Sequence, residues 1–167
     1  MSDRRNVLKV LAGTAGAVLV GASVVPAAAL VGEPGLDTGA DEGAWIRVAR
    51  LESLETGHPR KSSVVGARVD AWERAPDQRL GSVWLIRDSE TAVRAFSAVC
   101  PHLGCGVERE GDHFSCPCHD TTFTLLGEHV NGPSPRGMDP LEVRIADGWI
   151  SVRYQRFRQG VAARIPV

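Results

Sequence analysis

A chain of 167 residues with 43% hydrophobic side chains has room for one domain of ordinary size and an accessory segment. Its formal net charge of −1, with no basic stripe interleaved with aromatic residues, excludes nucleic acid as a partner. Short β-branched apolar runs, separated by 18 glycines and 10 prolines, predict many short strands joined by turns and therefore an all-β domain.

The N-terminal segment has the pattern of a membrane anchor. Residues 10–31 form an apolar run of 22 residues without a charged side chain, long enough to cross a bilayer as a helix at about 1.5 Å per residue. Arg4, Arg5 and Lys9 precede this run and acidic residues follow it. The positive-inside rule then places residues 1–9 in the cytoplasm and the main domain on the outer side of a bacterial inner membrane.

The same segment carries features of an export signal. The pair Arg4-Arg5 resembles a twin-arginine signal, although Asp3 and Val7 depart from its usual pattern. The alternative is that the basic residues act only as positive-inside flanks. Residues 26–29 offer a small-residue cleavage site, but the apolar run continues beyond it. We therefore expect a retained single-pass anchor, and not a cleaved signal that releases a periplasmic protein.

A polar linker follows the anchor. Residues 32–43 contain four glycines, one proline and four acids, with almost nothing to bury. This composition is typical of a flexible tether. We expect residues 32–43 to act as a hinge, with a plain connecting loop as the alternative, and residues 44–167 to form the main domain.

From Trp45 onward, apolar and polar residues alternate with a period of two, which predicts half-buried strands. Asp147-Gly148 lies between two such runs and predicts a two-residue hairpin turn. Arg74 to Arg79 is predicted to be a polar loop that follows a short strand around residues 69–72. Trp72 and Trp84 are predicted to be core residues, and not partners of a cofactor. The predicted strands cover residues 45–49, 61–65, 83–87, 93–97, 141–145 and 149–154.

All four cysteines lie within residues 100–119, in the motifs C-P-H-L-G-C and C-P-C-H. Each motif has a cysteine and a histidine in liganding register, Cys100 with His102 and Cys116 with His119. Two thiolates and two imidazoles suit either a tetrahedral zinc ion or a binuclear iron–sulfur cluster with histidines on one iron. The extra cysteine in each motif favours the cluster, because two loops that jointly cover it gain from being tied together.

The residues between the motifs predict how the two come together. Residues 107–115, with Gly111-Asp112 at the turn, have the pattern of a hairpin that carries one motif at each end. Such a hairpin places both motifs side by side at one tip. His113 and His129 lie nearby but out of liganding register, and both are expected at the surface.

In this combination the motifs resemble those of the Rieske iron–sulfur family, in its disulfide-containing branch typical of cytochrome bc-type complexes. The resemblance implies an antiparallel β-sandwich with a cluster-binding subdomain at about residues 98–137. It also implies a disulfide between Cys105 and Cys118. The implied ligands of a [2Fe-2S] cluster are Cys100 and Cys116 on one iron and His102 and His119 on the other.

Residues after the second motif bear on the cluster's redox potential. The family usually continues with Gly-Ser, one variable residue and Tyr, whereas this chain has Asp120, Thr121, Thr122 and Phe123. Thr121 keeps a hydroxyl for a hydrogen bond to sulfur, but Phe123 has none. One donor fewer, together with the negative charge of Asp120, makes reduction less favourable. We therefore expect a potential below that of the high-potential members, which suits menaquinol as the electron donor.

Two stretches after the second motif, a Gly- and Pro-rich segment and the C-terminal residues, have distinct compositions. Gly132, Pro133, Ser134 and Pro135 resemble the family's Gly-Pro-Ala-Pro segment, a stiff loop that covers the cluster from a third side. Residues 155–167 carry three arginines, and the sequence leaves open whether they pack along the domain or against a partner.

The resemblance implies an electron-transfer subunit of a membrane quinol:cytochrome c oxidoreductase. His119 would hydrogen-bond the quinol and accept its electron and proton, with His102 as the second exposed ligand. The implied partners are a cytochrome b subunit and a c-type cytochrome in a multi-subunit complex. The resemblance also allows this whole complex to be a dimer. The domain would work on the periplasmic side of the membrane.

Three alternatives stay open at this point. The first is the small Rieske subunit of an exported oxidase such as arsenite oxidase, against which the Pro133 and Pro135 loop and the anchor count. The second is a ferredoxin of an aromatic-ring oxygenase, which would lack the disulfide pair and an export signal. The third is a zinc module without redox function.

Overall fold

The computed structural model of the chain describes residues 45–69 and 74–167, together with Asp3, Asn6 and Lys9. The predicted membrane span, the predicted hinge and the predicted strand residues beyond Val69 lie outside these residues. Among the residues that are described, no helix is long and apolar enough to cross a membrane.

Strands dominate the described part of the chain, which confirms the all-β prediction. The one helical element between residues 45 and 167 that the structure describes is a single turn of 3-10 helix at Leu51–Ser53. Alternation of apolar and polar residues explains the strands at Trp45–Arg50, Val143–Ala146 and Trp149–Arg153, in which every second side chain faces the core. In chain order the strands are β1 Trp45–Arg50, β2 Arg60–Val69, β3 Arg74–Arg87, β4 Val93–Ser97, β5 Glu108–Glu110, β6 His113–Cys116, β7 Thr121–Thr124, β8 His129–Asn131, β9 Pro140–Leu141, β10 Val143–Ala146 and β11 Trp149–Arg153.

The strands form three antiparallel sheets with the orders β1-β11-β10, β2-β3-β4-β9 and β5-β6-β7-β8. The first two sheets share one apolar core, in which Leu85 and Ile150 are fully buried. The third sheet packs on a second core that includes Trp84, Phe114 and Phe123. Trp84 is only 6% exposed, as predicted, and its indole N–H donates to the carbonyl of Val107 at 3.0 Å.

The hairpin predicted at Asp147-Gly148 is present between β10 and β11. Both residues have positive φ, 52° at Asp147 and 73° at Gly148, which is the backbone of a type I′ turn. The predicted strand 141–145 is partly wrong, because Leu141 belongs to β9 and pairs with Ala95 of the second sheet. Leu141 is 6% exposed, because it packs against β4 and not in line with β10. The chain therefore passes from the second sheet to the first directly after Leu141.

The polar loop predicted at Arg74 to Arg79 is wrong, since these residues extend β3. They pair with β2 through Val65 with Arg79, Gly66 with Gln78 and Arg68 with Ala75. The described side chains here are mostly exposed. Because neither face of this stretch is buried, its sequence has no alternation of apolar and polar residues that could predict a strand. Main-chain hydrogen bonds of a long hairpin support this stretch instead.

The C-terminal residues pack along the domain, which answers the question that the sequence left open. Phe157 is 6% exposed in the core of the first two sheets and pairs with Pro166 in an isolated bridge. Tyr154 donates its hydroxyl to the carbonyl of Leu80 at 3.2 Å, and burial raises the pKa of this phenol. The segment from residue 155 to 167, called the C-terminal tail below, is therefore part of the described fold.

Candidate metal centre

The first motif forms a closed loop directly after β4. Val99 and Gly106 pair in an antiparallel bridge that closes the loop at its base. Inside it, the Cys100 N–H donates to the Cys105 carbonyl at 2.7 Å, and the Gly104 N–H donates to the Cys100 carbonyl at 3.0 Å. Leu103 projects from this loop with 65% of its surface exposed. The residues Cys100 to Cys105 are called loop 1 below.

The second motif is the turn between β6 and β7. Cys116 ends β6, pairs with Thr121 at the start of β7, and leaves four residues to reverse the chain. Asp120 closes this turn with φ of 51°, a left-handed conformation that aspartate tolerates better than most residues. The predicted hairpin is also present as β5 and β6, with Gly111-Asp112 at its turn. It brings Cys116 to Asp120, called loop 2 below, to the same end as loop 1.

A disulfide between Cys105 and Cys118 ties the two loops together, which confirms the predicted pairing. The sulfur atoms of Cys105, Cys116 and Cys118 lie within 4.8 Å of one another. The site is therefore a sulfur-rich junction between two loops that are held by a covalent bond.

The disulfide closes a segment with a sequence separation of 13 residues. A cross-link over a loop of this length lowers the chain entropy of the unfolded state, which corresponds to about 3 kcal/mol of stability. We expect the C105S/C118S variant to lose about this free energy of unfolding in urea titrations. Reductant added to the wild type should shift its unfolding midpoint in the same direction. An unchanged midpoint in both experiments would show that the disulfide does not stabilise the fold.

The other two cysteines lie in the core and take no part in the disulfide. Cys100 and Cys116 are each 1% exposed. Burial raises the pKa of the Cys100 thiol to about 11, and the adjacent Cys116 thiol acts in the same direction. Both thiols are close enough to interact, so they can share one metal group. Binding such a group as thiolates requires release of their protons.

The two histidines of the motifs lie side by side. The ring centroids of His102 and His119 are 4.7 Å apart, with an interplanar angle of 82°. The Nδ1 atom of His102 is buried and has no hydrogen-bond partner among the described residues. A buried ring nitrogen without a partner is costly unless it binds something. His119 is exposed at the surface of the tip.

The donor set fits a binuclear cluster. Two buried thiols and two adjacent imidazoles are the ligands of a [2Fe-2S] centre with histidines on one iron. Thr121 supports the same fit, because its Oγ1 is buried and also has no partner among the described residues. A cluster sulfur would give this hydroxyl an acceptor.

The Gly132 to Pro135 segment lies against loop 2. Gly132 has φ of 93°, and a Cβ at this position would lie 2.6 Å from the Cα of Thr121. Only glycine therefore permits this approach without a shift of the backbone. Ser134 is buried and its hydroxyl donates to the Arg136 carbonyl at 2.8 Å. The segment thus sits next to the residues that follow His119.

The remaining residues predicted around the site take different places. Phe123 is fully buried in the core that holds Cys100 and Cys116, whereas Asp120 is exposed. His129 is exposed and lies 3.0 Å through Nε2 from the Gly132 carbonyl. His113 is partly exposed and contacts Asp112 at 3.3 Å.

Sequence reasoning missed a buried ion pair behind loop 1. Arg136 and Asp139 have side chains that are each 5% exposed, and two hydrogen bonds of 2.8 Å join the guanidinium to the carboxylate. Arg136 also donates to the carbonyls of Arg158 and Val161 in the C-terminal tail. The only sequence signal is Arg-x-x-Asp in a Gly- and Pro-rich stretch, which is too common to predict burial.

The C-terminal tail reaches loop 1 itself. The Gly160 N–H donates to the Pro101 carbonyl at 2.8 Å. A Cβ at Gly160 would lie 3.7 Å from the His102 carbonyl oxygen, so the tail contacts the backbone of two consecutive loop residues. A chain of contacts therefore runs from the Arg136–Asp139 pair through the tail to the loop that carries His102.

A cavity of about 330 Å³ lies beside loop 1. Its lining combines Tyr154, Arg156 and Gln159 with Gly104 of the loop. Neither His102 nor His119 lines it.

Together the fold and the site define an all-β protein in which two disulfide-linked loops bring two buried cysteines and two neighbouring histidines to one tip. Comparison with known families agrees with this class, since the Rieske [2Fe-2S] domain matches residues 44–146. The chain belongs to this family. Its cofactor is accordingly a [2Fe-2S] cluster.

Among curated proteins, the chain is similar to the menaquinol:cytochrome c reductase iron–sulfur subunits of Geobacillus thermodenitrificans and Bacillus subtilis (strain 168). The first is 34% identical over 109 residues, which cover 62% of this chain and 63% of that protein. The second is 31% identical over 111 residues, which cover 63% and 64%. The chain thus spans less than two thirds of the length of these relatives.

Among solved structures, the chain is similar to a component of a hyperthermophilic respiratory Complex III. The identity is 22% and the TM-score 0.43, with coverage of 85% of this chain and 98% of the other.

Proposed function

We propose that this chain is the electron-transfer subunit of a bc-type quinol:cytochrome c oxidoreductase, which oxidises menaquinol and passes the electron to a c-type cytochrome. The observation that carries the proposal is the pairing of His102 and His119 at a tip whose two loops are tied by a disulfide. The two relatives described as menaquinol:cytochrome c reductase iron–sulfur subunits support the same assignment.

We propose the cluster ligands that the resemblance to the Rieske family implies. Cys100 and Cys116 hold one iron, and His102 and His119 hold the other. The burial of both thiols and the unpartnered Nδ1 of His102 support it. When bound, the cluster supplies a one-electron acceptor with a potential between about −150 and +300 mV.

We propose that His119 is the residue that hydrogen-bonds the quinol. Its ring is the more exposed of the two, so a donor can reach its outer nitrogen without opening the core. A negative charge gained next to an imidazole favours its protonated form, which lets the same residue take the quinol's proton. His102 is the second candidate. A cytochrome b partner would complete the quinol pocket, because the described cavity contains neither ring.

The membrane arrangement follows from the sequence pattern. We propose a cytoplasmic flank at residues 1–9, an anchor at 10–31, a hinge at 32–43 and a periplasmic domain at 44–167. Within this domain, residues 98–137 would be the cluster-binding part, and the presence of both loops and the third sheet within this range supports the proposal. A twin-arginine route would deliver the folded domain with its cofactor.

Other functions have weaker support. The relatives described above give no support to the small subunit of an arsenite oxidase. The disulfide counts against a ferredoxin of an oxygenase. The family match counts against a zinc module.

Purification of the tagged full chain from bacterial membranes tests the proposed function. We expect b-type and c-type haem subunits to co-purify, and the preparation to reduce cytochrome c with menaquinol. Co-purification of a molybdenum subunit without haem b would contradict the proposal and establish the oxidase alternative.

A substitution at Phe123 tests how the chain sets its potential. Phe123 stands where the family has tyrosine, in the core that holds both cysteine thiols. A hydroxyl that donates to a cluster sulfur stabilises the more negative reduced form, so we expect Phe123→Tyr to raise the midpoint potential. A hydrogen bond worth about 1 kcal/mol corresponds to roughly 40 mV for one electron. Protein-film voltammetry measures this shift.

Phe114→Tyr is the matched control for this experiment. Phe114 pairs directly with Phe123 across β6 and β7 and is equally buried. It adds the same buried hydroxyl where the family pattern has no donor. Equal shifts in both variants would show that burial of a polar group, and not a bond to the cluster, changes the potential.

A further inference from the structure

The outer face of the first sheet combines arginine and tryptophan. One side of β1, β10 and β11 packs on the core through Ile46, Val48, Ile150 and Val152. The opposite side faces solvent and is called the Arg/Trp face below. Its residues are Trp45, Arg47, Arg50, Arg144, Trp149 and Arg153.

The arginines of this face are held against its tryptophans. The guanidinium carbon of Arg50 lies 4.3 Å from the ring centroid of Trp149, and that of Arg47 lies 5.7 Å from it. Arg144 lies 4.3 Å from the ring centroid of Trp45. A guanidinium stacked on an indole keeps edge N–H groups available for an anion. In Arg50, Nη1 donates to the Asp147 carbonyl at 3.2 Å, and the other N–H groups of the guanidinium make no side-chain hydrogen bond to the described residues. The face is therefore an ordered array of cations.

Few carboxylates balance this charge. Within the described part of the chain, the only carboxylate within ion-pair distance of the face is that of Glu142, which lies 3.5 Å from Arg153. The chain as a whole has a formal net charge of −1, so the positive charge of the face is a local concentration. Such a surface is complementary to a plane of anionic groups.

The position of the Arg/Trp face in the chain indicates that its binding partner is a membrane surface. β1 begins at Trp45, directly after the linker at residues 32–43 and the apolar run at 10–31. Twelve residues span at most about 40 Å when extended, so the linker keeps β1 close to the bilayer. Arginine binds lipid phosphates bidentately, and tryptophan favours the headgroup level of a membrane.

We propose that the Arg/Trp face docks on the anionic phosphate headgroups of the outer leaflet, on the side of the membrane where the domain lies. The domain then has a resting place on the membrane that is separate from its redox partners. This inference rests on the membrane anchor of the proposed function. It assigns to the first sheet a binding role that the metal centre does not require.

Tryptophan fluorescence of the full chain in lipid nanodiscs tests this inference. The discs contain phosphatidylcholine alone or mixed with phosphatidylglycerol, and each carries a lipid spin-labelled on its headgroup as a quencher. We expect stronger quenching in the anionic discs. At 1 M salt, where the Debye length is about 3 Å, this increment should disappear. The W45F/W149F variant should also lose it.

Two triple variants remove equal charge from different surfaces. R47Q/R50Q/R144Q should lose the increment in anionic discs, whereas R79Q/R109Q/R158Q, at three exposed sites elsewhere, should keep it. Both should retain the iron content of the wild type. Equal quenching in neutral and anionic discs would overturn the inference, as would loss of the increment in both triple variants.

Two outcomes separate this inference from the proposed function. A chain that does not enter the discs contradicts the anchor. In that case, co-sedimentation of the two triple variants with phosphatidylglycerol vesicles tests the docking by itself. If R47Q/R50Q/R144Q shows wild-type quenching but slower reduction of cytochrome c in the purified complex, the face binds an acidic protein. That result would also overturn lipid docking.

Discussion

Replacement of Arg136 by methionine should lower the free energy of unfolding by about 3–5 kcal/mol, because it leaves the buried carboxylate of Asp139 without its main partner. Asp139 is 4% exposed, and its other cation, Arg164, is half-exposed at 3.4 Å. Arg136→Met also removes the donors to the Arg158 and Val161 carbonyls. Urea unfolding of the full chain measures the loss.

Two further variants separate the ion pair from general effects of the substitution. R136M/D139N removes both charges and should recover the part of the loss that comes from the unpaired carboxylate, since a broken pair costs more than an absent one. The part that comes from the Arg158 and Val161 carbonyls should remain. Arg153→Met is the matched control, because Arg153 forms an exposed ion pair with Glu142 and such pairs contribute about 0–1 kcal/mol. Equal losses for Arg136→Met and Arg153→Met would contradict a structural role of the buried pair.

The same variant tests the link from the ion pair to the metal centre. The C-terminal tail is fixed at one end by Arg136 and donates from Gly160 to the Pro101 carbonyl. We expect hydrogen exchange of the Gly160 amide to be faster in Arg136→Met than in Arg153→Met. The tail therefore connects the stability of the fold to the backbone on which His102 sits.

The sequence predicted the parts of this protein that local chemistry determines. The alternating runs predicted β1 and β11, because these strands bury one face more than the other. The short apolar run at residues 93–97 predicted β4, which has Ala95 in one core and Phe96 in the other. Asp147-Gly148 predicted its turn because few other residue pairs adopt positive φ twice. The cysteine and histidine motifs predicted the two loops, since metal ligands need fixed spacing.

The parts that escaped prediction depend on contacts between distant residues. Arg74 to Arg79 form a strand through pairing with β2, although the side chains of residues 75–79 show no buried face. Leu141 leaves β10 because β4 offers it a buried partner. Arg136 and Asp139 become a buried pair only after the C-terminal tail has folded over them. No local pattern encodes these three outcomes.

The ligand set makes the strongest prediction for the metal centre. Substitution of any one of Cys100, His102, Cys116 and His119 by alanine should abolish binding of two irons and two acid-labile sulfides per chain, because under the proposed assignment one of the two irons then lacks one of its two protein ligands. Iron and sulfide analysis of the purified full chain measures this loss. His113→Ala is the matched control, since His113 lies on β6 close to Cys116 but contacts Asp112 instead of the site. Loss of iron in the control as well would show a general disturbance of the fold.

His119→Cys sharpens the same test, because a thiolate can replace an imidazole as a ligand. The exposed position of His119 leaves room for this change without repacking of the core. The variant should keep its iron but have a much lower potential, since a thiolate adds negative charge and clusters with four cysteines lie near about −400 mV. A variant that keeps its iron and the wild-type potential would show that His119 is not a ligand. Zinc in place of iron in the wild type would contradict the cluster itself.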